Sequence, residues 1–203
     1  MKTEMIQKRC WPPGDAAVAH SAWARRGGNP PAFEKVAGLV ALTLILCVAP
    51  ATRAAPRPAQ VDVAFDGQCE RLLLREVGKA KQELLVAVYV ITRPAIVTAL
   101  IRAAESKVKV LLKYDAGQAE NQGMAEALQR LRRAGVQCAA ITFGRYGQMH
   151  NKFIVIDRAR VLTGSYNFTT VASRDNYENL VLIESPDTAA EYARAFEIIH
   201  SRN

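Results

Sequence analysis

Apolar positions along this chain recur in two patterns, one typical of strands and one typical of helices. Alternating or continuously apolar runs predict strands at 61–65, 84–91, 108–112, 136–143, 153–156, 161–163 and 180–183. Apolar residues at three- and four-residue spacing predict helices at 68–82, 94–106, 124–134 and 188–201. Strands that alternate with helices predict an α/β fold, a layered sandwich in which a mixed β-sheet is flanked by helices on both faces.

The N-terminal part of the chain follows neither pattern. Residues 1–35 contain paired prolines and paired glycines without an apolar period, which predicts a disordered basic leader. The apolar run 36–51 is preceded by basic residues and followed by small ones, which predicts a signal peptide over 36–55. This run has 16 residues, fewer than the ~20 that span a bilayer comfortably. A cleaved signal peptide is therefore favoured over a membrane anchor.

The leader decides where the protein is expected. A cleaved leader implies a periplasmic or secreted protein, whereas a retained leader implies an inner-membrane anchor, with membrane association through 36–51. Residues 56–60 contain two prolines and predict a linker. The remaining stretch, 61–203, is long enough for one well-buried domain.

Net charge gives little information about a partner. Residues 1–59 hold 8 of the 27 basic and 3 of the 19 acidic groups, which leaves 19 and 16 for the rest of the chain. Such a small excess does not by itself indicate nucleic-acid binding. A local cluster could still follow a phosphate backbone or form a solvated helix face, and these alternatives stay open for Lys113, Arg130, Arg132, Arg133 and Arg145.

Two cysteines fall in the predicted domain. Cys69 and Cys138 could form a disulfide in an exported protein. Sequence alone does not show that their Cα atoms come within bonding distance. Buried free thiols are the favoured alternative.

Candidate chemistry is concentrated around the predicted strand 153–156. His150 and Lys152 share one face of this strand, because side chains alternate with a period of two, so both can contact one phosphate. Asp157 has the opposite parity and lies near a turn, which indicates a supporting role. Ser165 and Asn167 form a second pair with a common face, and Glu178 stands at the start of the next apolar strand.

These residues form the motifs H-x-K-x4-D, G-S-x-N and N-x-E-N in succession, and this pattern resembles the phospholipase D superfamily. The likeness is strongest to its small bacterial endonucleases that carry a single motif. It extends over roughly 60–203, which it identifies as a phospholipase D-like catalytic domain. It also includes Tyr89, Thr92, Asp115 and Gln118, of which Tyr89 and Thr92 fit packing or turn roles as well as a place in the site wall.

The chemistry of phosphodiester cleavage requires more than one histidine. A neutral imidazole can attack phosphorus and a charged one can protonate the leaving oxygen, but one ring cannot do both at once. Only His150 is a good candidate, so a two-fold homodimer is expected to supply the second ring. The resemblance implies the same arrangement, with a phosphohistidine on one His150 and an acid-base role for its mate.

The resemblance also implies roles for the remaining candidates. Lys152, Ser165 and Asn167 match phosphate-binding positions, and Glu178 matches the carboxylate that orients the histidine. Asp157 completes the catalytic set as a support residue. Neither a metal nor another cofactor is expected, since no convincing cluster of metal ligands is visible.

The sequence therefore predicts a metal-independent phosphodiesterase, a non-specific endonuclease acting on DNA or RNA as a homodimer. One alternative keeps the same residues for a phospholipase D-type hydrolase of phospholipids. A second alternative is a nucleic-acid-binding protein that has lost turnover.

Overall fold

The structure, a computed structural model, describes residues 58–144 and 147–202. The predicted leader and signal peptide, 1–35 and 36–55, lie outside the described residues. No helix within the described stretches is both long and apolar enough to cross a bilayer.

Seven strands form one mixed sheet in the order β1-β7-β6-β5-β2-β3-β4. Strands β2, β3 and β4 are parallel, and the other neighbouring pairs are antiparallel. The bounds are β1 Gln60–Phe65, β2 Glu83–Val88, β3 Lys109–Asp115, β4 Gln137–Ile141, β5 Lys152–Ile156, β6 Arg160–Gly164 and β7 Asn179–Glu184.

Helices cover both faces of this sheet. The α-helices are α1 Gly67–Val77, α2 Pro94–Glu105, α3 Gln122–Arg133, α4 Thr170–Arg174 and α5 Pro186–Ile198, and a 3-10 helix spans Ala116–Glu120. Alternate residues of each central strand enter one of two cores, one beneath α1 to α4 and the other beneath α5. The predicted α/β layered fold is confirmed.

Several predicted elements end before their apolar patterns do, and two of them show why. The strand predicted over 84–91 ends at Val88, because Val90 and the two residues after Ile91 exchange backbone hydrogen bonds with Phe168 instead of with a neighbouring strand. The helix predicted over 68–82 ends at Val77, where Gly78, a poor helix former, is the C-cap.

Two segments outside the predicted helices form short helices. The polar segment after Asp115 forms the 3-10 helix, whose first turn is capped by the Asp115 carboxylate. The loop after Asn167 contains α4, capped by the Thr169 hydroxyl, which accepts a hydrogen bond from the Ala172 amide at 3.1 Å. Both segments border the strand ends that hold the candidate site.

The domain cysteines are both free thiols. Burial raises the pKa of Cys69 and of Cys138 to about 11, so both thiols stay protonated at neutral pH. The structure therefore has free thiols and not a disulfide between Cys69 and Cys138.

Candidate active site

The candidate residues meet at one end of the sheet. Strand β5 runs antiparallel to β2, so its start lies beside the end of β2, where Lys152 pairs with Val88. The end of β6 and the start of β7 lie at the same level, with Gly164 opposite Leu180. Side chains from the segment before β5, the segment after β6 and the segment before β7 therefore converge on this end of the sheet.

His150 and Lys152 are in direct contact, as the period of two predicted. Lys152 Nζ lies 3.2 Å from Nδ1 and 3.4 Å from Nε2 of the imidazole, and it donates to the His150 carbonyl oxygen at 2.9 Å. Partial burial lowers the pKa of Lys152, while the negative charge of Glu178 acts in the opposite direction. The two side chains present their nitrogen atoms to the same exposed space.

Asn167 contributes an amide whose hydrogen-bonding capacity is not met. Its Oδ1 is buried and has no hydrogen-bond partner within residues 58–144 and 147–202. A buried polar atom without a partner costs free energy, and such atoms often mark a place where a ligand binds. An amide can present either its oxygen or its NH2 group after a rotation of 180°. Asn167 therefore stays a candidate for binding a phosphate, as the sequence predicts.

Ser165 is occupied by protein partners. Its hydroxyl donates to Glu178 Oε2, and its oxygen accepts from the backbone and side-chain nitrogens of Asn179 at 3.1 and 3.3 Å. Gly164 permits this close approach, because a Cβ at that position would collide with the Asn179 carbonyl oxygen. The hydroxyl has a single proton, so the proton predicted to reach a phosphate is committed to Glu178.

Glu178 is buried but does not contact the histidine. Its carboxylate accepts from Ser165 and, at 3.1 Å, from Asn176 Nδ2. The predicted hydrogen bond to His150 is absent from the described part of the chain. The physical reason is the strand order: β6 separates β7 from β5, which puts the two strands about 10 Å apart.

Asp157 lies at the opposite end of β5 and is corrected from the catalytic set to a structural position. Its carboxylate accepts hydrogen bonds from the backbone amides of Lys81, Gln82 and Glu83 at 2.7–3.2 Å. The length of β5 separates it from His150 by roughly 20 Å. Burial opposes its ionisation, but the three amides and the charge of Arg160 hold its pKa below the ordinary range. Asp157 therefore ties the β5–β6 turn to the start of β2.

We expect Asp157→Asn to lower the free energy of unfolding at pH 7 by about 2 kcal/mol, because an amide NH2 group would meet backbone N–H donors. A lowered folded-state pKa stabilises the protein above the unfolded pKa of about 4, and this contribution is lost as pH falls through the folded pKa. The difference between parent and variant should therefore shrink at pH 3. Urea unfolding at both pH values measures it, with the exposed Asp175→Asn as control. Equal stability at pH 7 would contradict this structural role.

Four of the five basic residues considered for a phosphate backbone are described, and these four do not line the site. Lys113 donates from Nζ to two carbonyl oxygens at the end of α5 at 2.7 and 2.8 Å, and partial burial lowers its pKa. Arg130 and Arg132 bind hydroxyl groups of α2 and β3. Together with Arg133 they lie at the end of α3 that is remote from the site, because β4 starts there. Arg145 lies outside the described residues.

Several contacts at the site were not predicted. Tyr89 packs against the His150 ring with centroids 4.8 Å apart, and its hydroxyl accepts from Gln118 Nε2 at 2.7 Å. The buried Asp115 accepts from the Met149 amide at 2.8 Å. Their positions at strand ends were visible in the sequence, but the pairing of these loops was not. Within the described residues, the site included, no three side chains of the His, Cys, Asp and Glu types lie close enough together to hold a metal ion.

Comparison with known proteins defines the family. A family model described as "Cardiolipin synthase, PLD-like domain" matches residues 73–199, more than half of the chain. The chain therefore belongs to the phospholipase D superfamily, a superfamily of phosphodiester-cleaving enzymes, and the resemblance noted in the sequence is confirmed.

Curated relatives include a "Phospholipase D" of Rickettsia typhi, which is 33% identical over 124 residues, 61% of this chain and 59% of that protein. A "Mitochondrial cardiolipin hydrolase" of Xenopus laevis is 32% identical over 132 residues, 65% of this chain and 60% of that protein. The chain thus spans about three fifths of the length of these relatives.

Solved structures share the fold. The phospholipase D family member Nuc from Salmonella typhimurium superimposes with a TM-score of 0.66 at 26% identity, over 70% of this chain and 94% of that one. NucT from Helicobacter pylori superimposes with a TM-score of 0.64 at 21% identity, over 70% and 96% of the two chains.

Proposed function

We propose that this protein is a metal-independent phosphodiesterase that hydrolyses DNA or RNA without sequence specificity. The observation that supports it most directly is the contact of His150 and Lys152 in the exposed space at the strand ends, beside the unsatisfied amide of Asn167. A nucleophile, a fixed positive charge and a polar donor are the groups that phosphoryl transfer needs. Lys152 supplies the kind of positive charge that a metal ion supplies in metal-dependent phosphodiesterases.

In the proposed reaction a ring nitrogen of His150 attacks phosphorus. The new P–N bond replaces the bond from phosphorus to the leaving oxygen, which takes a proton from a second imidazole. Water then attacks the phosphohistidine, loses its proton to that second imidazole and releases the His150 nitrogen. Lys152 and Asn167 stabilise the negative charge on the phosphoryl oxygens in both steps.

The second imidazole is proposed to come from another copy of this chain. His200, the other described histidine, lies beside the end of β4, three strands and about 14 Å from β5. Next to the site, Tyr177 is 97% exposed and Val171 is 57% exposed. Exposed large apolar residues beside a site favour an interface there, and a two-fold axis would bring both copies of His150 together.

A phospholipid substrate is the second candidate. The relatives named phospholipase D and cardiolipin hydrolase favour it, as does an apolar strip on β1. Val61, Val63 and Phe65 are 61%, 54% and 59% exposed on one face of this edge strand, and Phe65 pairs with Asn179 at the site. The single-motif format, which resembles that of bacterial endonucleases, favours nucleic acid.

The substrate is tested with the purified full-length protein in excess EDTA. Supercoiled plasmid, single-stranded RNA and phosphatidylcholine–cardiolipin vesicles are incubated in parallel. We expect nicking and then degradation of plasmid, without release of headgroups or phosphatidic acid. Lipid hydrolysis without cleavage of nucleic acid would replace the first candidate by the second. Binding of plasmid without any turnover would favour the inactive nucleic-acid-binding alternative.

A further inference from the structure

No carboxylate of the described residues hydrogen-bonds to the imidazole of His150. Within residues 58–144 and 147–202, its side-chain contacts are Lys152 Nζ and the ring of Tyr89. Lys152 is expected to turn toward the phosphate when substrate binds, since its charge is needed there. Among the described residues of one chain, the aromatic ring is therefore the contact that remains to fix the orientation of the histidine during attack.

Tyr89 forms a common platform for both reacting side chains. It follows the last residue of β2, and its ring is tilted by 57° against the His150 ring at a centroid distance of 4.8 Å. Lys152 Nζ lies 5.6 Å from the centroid of the same ring. Tilted aromatic pairs and cations near an aromatic face are both favourable arrangements. A histidine that becomes charged during the reaction gains from the second effect as well.

The platform is itself held from the end of β3. Gln118 Nε2 donates to the Tyr89 hydroxyl at 2.7 Å. Gln118 lies on the 3-10 helix that Asp115 caps through its Oδ1, which accepts from the Gly117 amide at 3.0 Å. The other oxygen of the Asp115 carboxylate accepts from Met149, the residue before His150, at 2.8 Å. One short segment thus holds both the backbone that leads into His150 and the ring that packs on its imidazole.

We propose that Tyr89, held by Gln118, is the positioning residue of His150. This inference rests on the proposed function, in which His150 attacks phosphorus. An attacking nitrogen must stand in line with the leaving group, and small displacements from that line cost large factors in rate. The Tyr89 ring restricts rotation of the imidazole about its side-chain bonds, and the Gln118 contact restricts the ring.

The test measures kcat and KM of full-length variants on bis(4-nitrophenyl) phosphate, a substrate too small to contact distant surfaces. Tyr89→Leu removes the platform and should lower kcat about 10- to 100-fold with KM changed by less than about threefold. Tyr89→Phe keeps the ring but loses the Gln118 contact, so its kcat should fall only about 3- to 10-fold. The kcat of Gln118→Ala should match that of Tyr89→Phe. The double variant Tyr89→Phe/Gln118→Ala should be no slower than either single variant.

The control is Tyr192→Leu, which removes a ring that packs on Phe153 at 5.1 Å but lies on α5. It should leave kcat within about twofold, because it changes aromatic packing without touching the imidazole. Three results would each overturn the proposal: an unchanged kcat in Tyr89→Leu, a rise in KM as its only change, or additive losses of kcat in the double variant.

A spectroscopic measurement tests the ring contact independently of turnover. The imidazole proton resonances of His150 are identified by their absence in His150→Ala. They should shift in Tyr89→Leu and stay near the parent positions in Tyr89→Phe, since only the first removes the ring current. Resonances at the same positions in the parent, Tyr89→Leu and Tyr89→Phe would overturn the proposal even if nucleic acid is the wrong substrate. Full hydrolysis by His150→Ala would instead refute the proposed function.

Discussion

Replacing His150 with alanine lowers the rate of phosphodiester hydrolysis about 10⁴-fold or more, because the variant cannot form the P–N bond of the proposed intermediate. Losses of this size are typical when a covalent nucleophile is removed. The variant should fold normally, since the His150 side chain is exposed and its removal leaves no buried cavity. Initial rates on plasmid in excess EDTA measure the effect.

The matched control is His200→Ala, which removes an exposed imidazole far from β5 and should keep the parent rate. Equal activity of His150→Ala and the parent would refute the assignment of the nucleophile. The same variant tests the shared site. When a ninefold excess of His150→Ala is exchanged into the parent, the activity per parent subunit should fall about tenfold, because most parent subunits then lack a partner imidazole. An unchanged activity would contradict a shared site.

Replacing Lys152 with methionine lowers kcat about 10²- to 10³-fold, because methionine fills a similar space without the charge that stabilises the phosphoryl oxygens. Lys109→Met, an exposed lysine at the opposite end of the sheet, is the control and should leave kcat unchanged. A rise in KM with kcat unchanged in Lys152→Met would mean that Lys152 binds the substrate and the transition state equally well.

The pH profile of the parent provides a second observation on Lys152. Burial lowers its pKa, so the ammonium group loses its proton at a lower pH than the ordinary value of about 10.4. Activity should therefore decline on the alkaline side before that pH. Lys152→Arg keeps its charge at all these pH values, so whatever activity this variant retains should not show the alkaline decline.

The sequence was sufficient to predict the seven strands, the four longer helices and the central pair of the site. Strand β5 is so rich in apolar and β-branched residues that its pattern predicts a strand. The period of two along a strand then places His150 and Lys152 on one face. The alternation of strands and helices likewise predicted the layered sheet. These features depend on neighbours in the sequence, for which local patterns are informative.

Features that depend on strand order could not be predicted in this way. The position of β6 between β5 and β7 keeps Glu178 from His150, and no local pattern reveals that order. The contact of Tyr89 with His150 depends on β2 lying next to β5, although the two are separated by more than sixty residues. The direction of α3 similarly decides that Arg133 lies far from the site.

The most direct test of the account is to trap the covalent intermediate. Full-length protein is mixed in excess EDTA with a labelled phosphodiester that it cleaves, quenched with alkali within a single turnover, and analysed for label on the protein. We predict an alkali-stable, acid-labile adduct on the peptide that contains His150, absent from His150→Ala. Single-turnover hydrolysis without such an adduct, label on another residue, or loss of hydrolysis in EDTA would contradict the histidine mechanism.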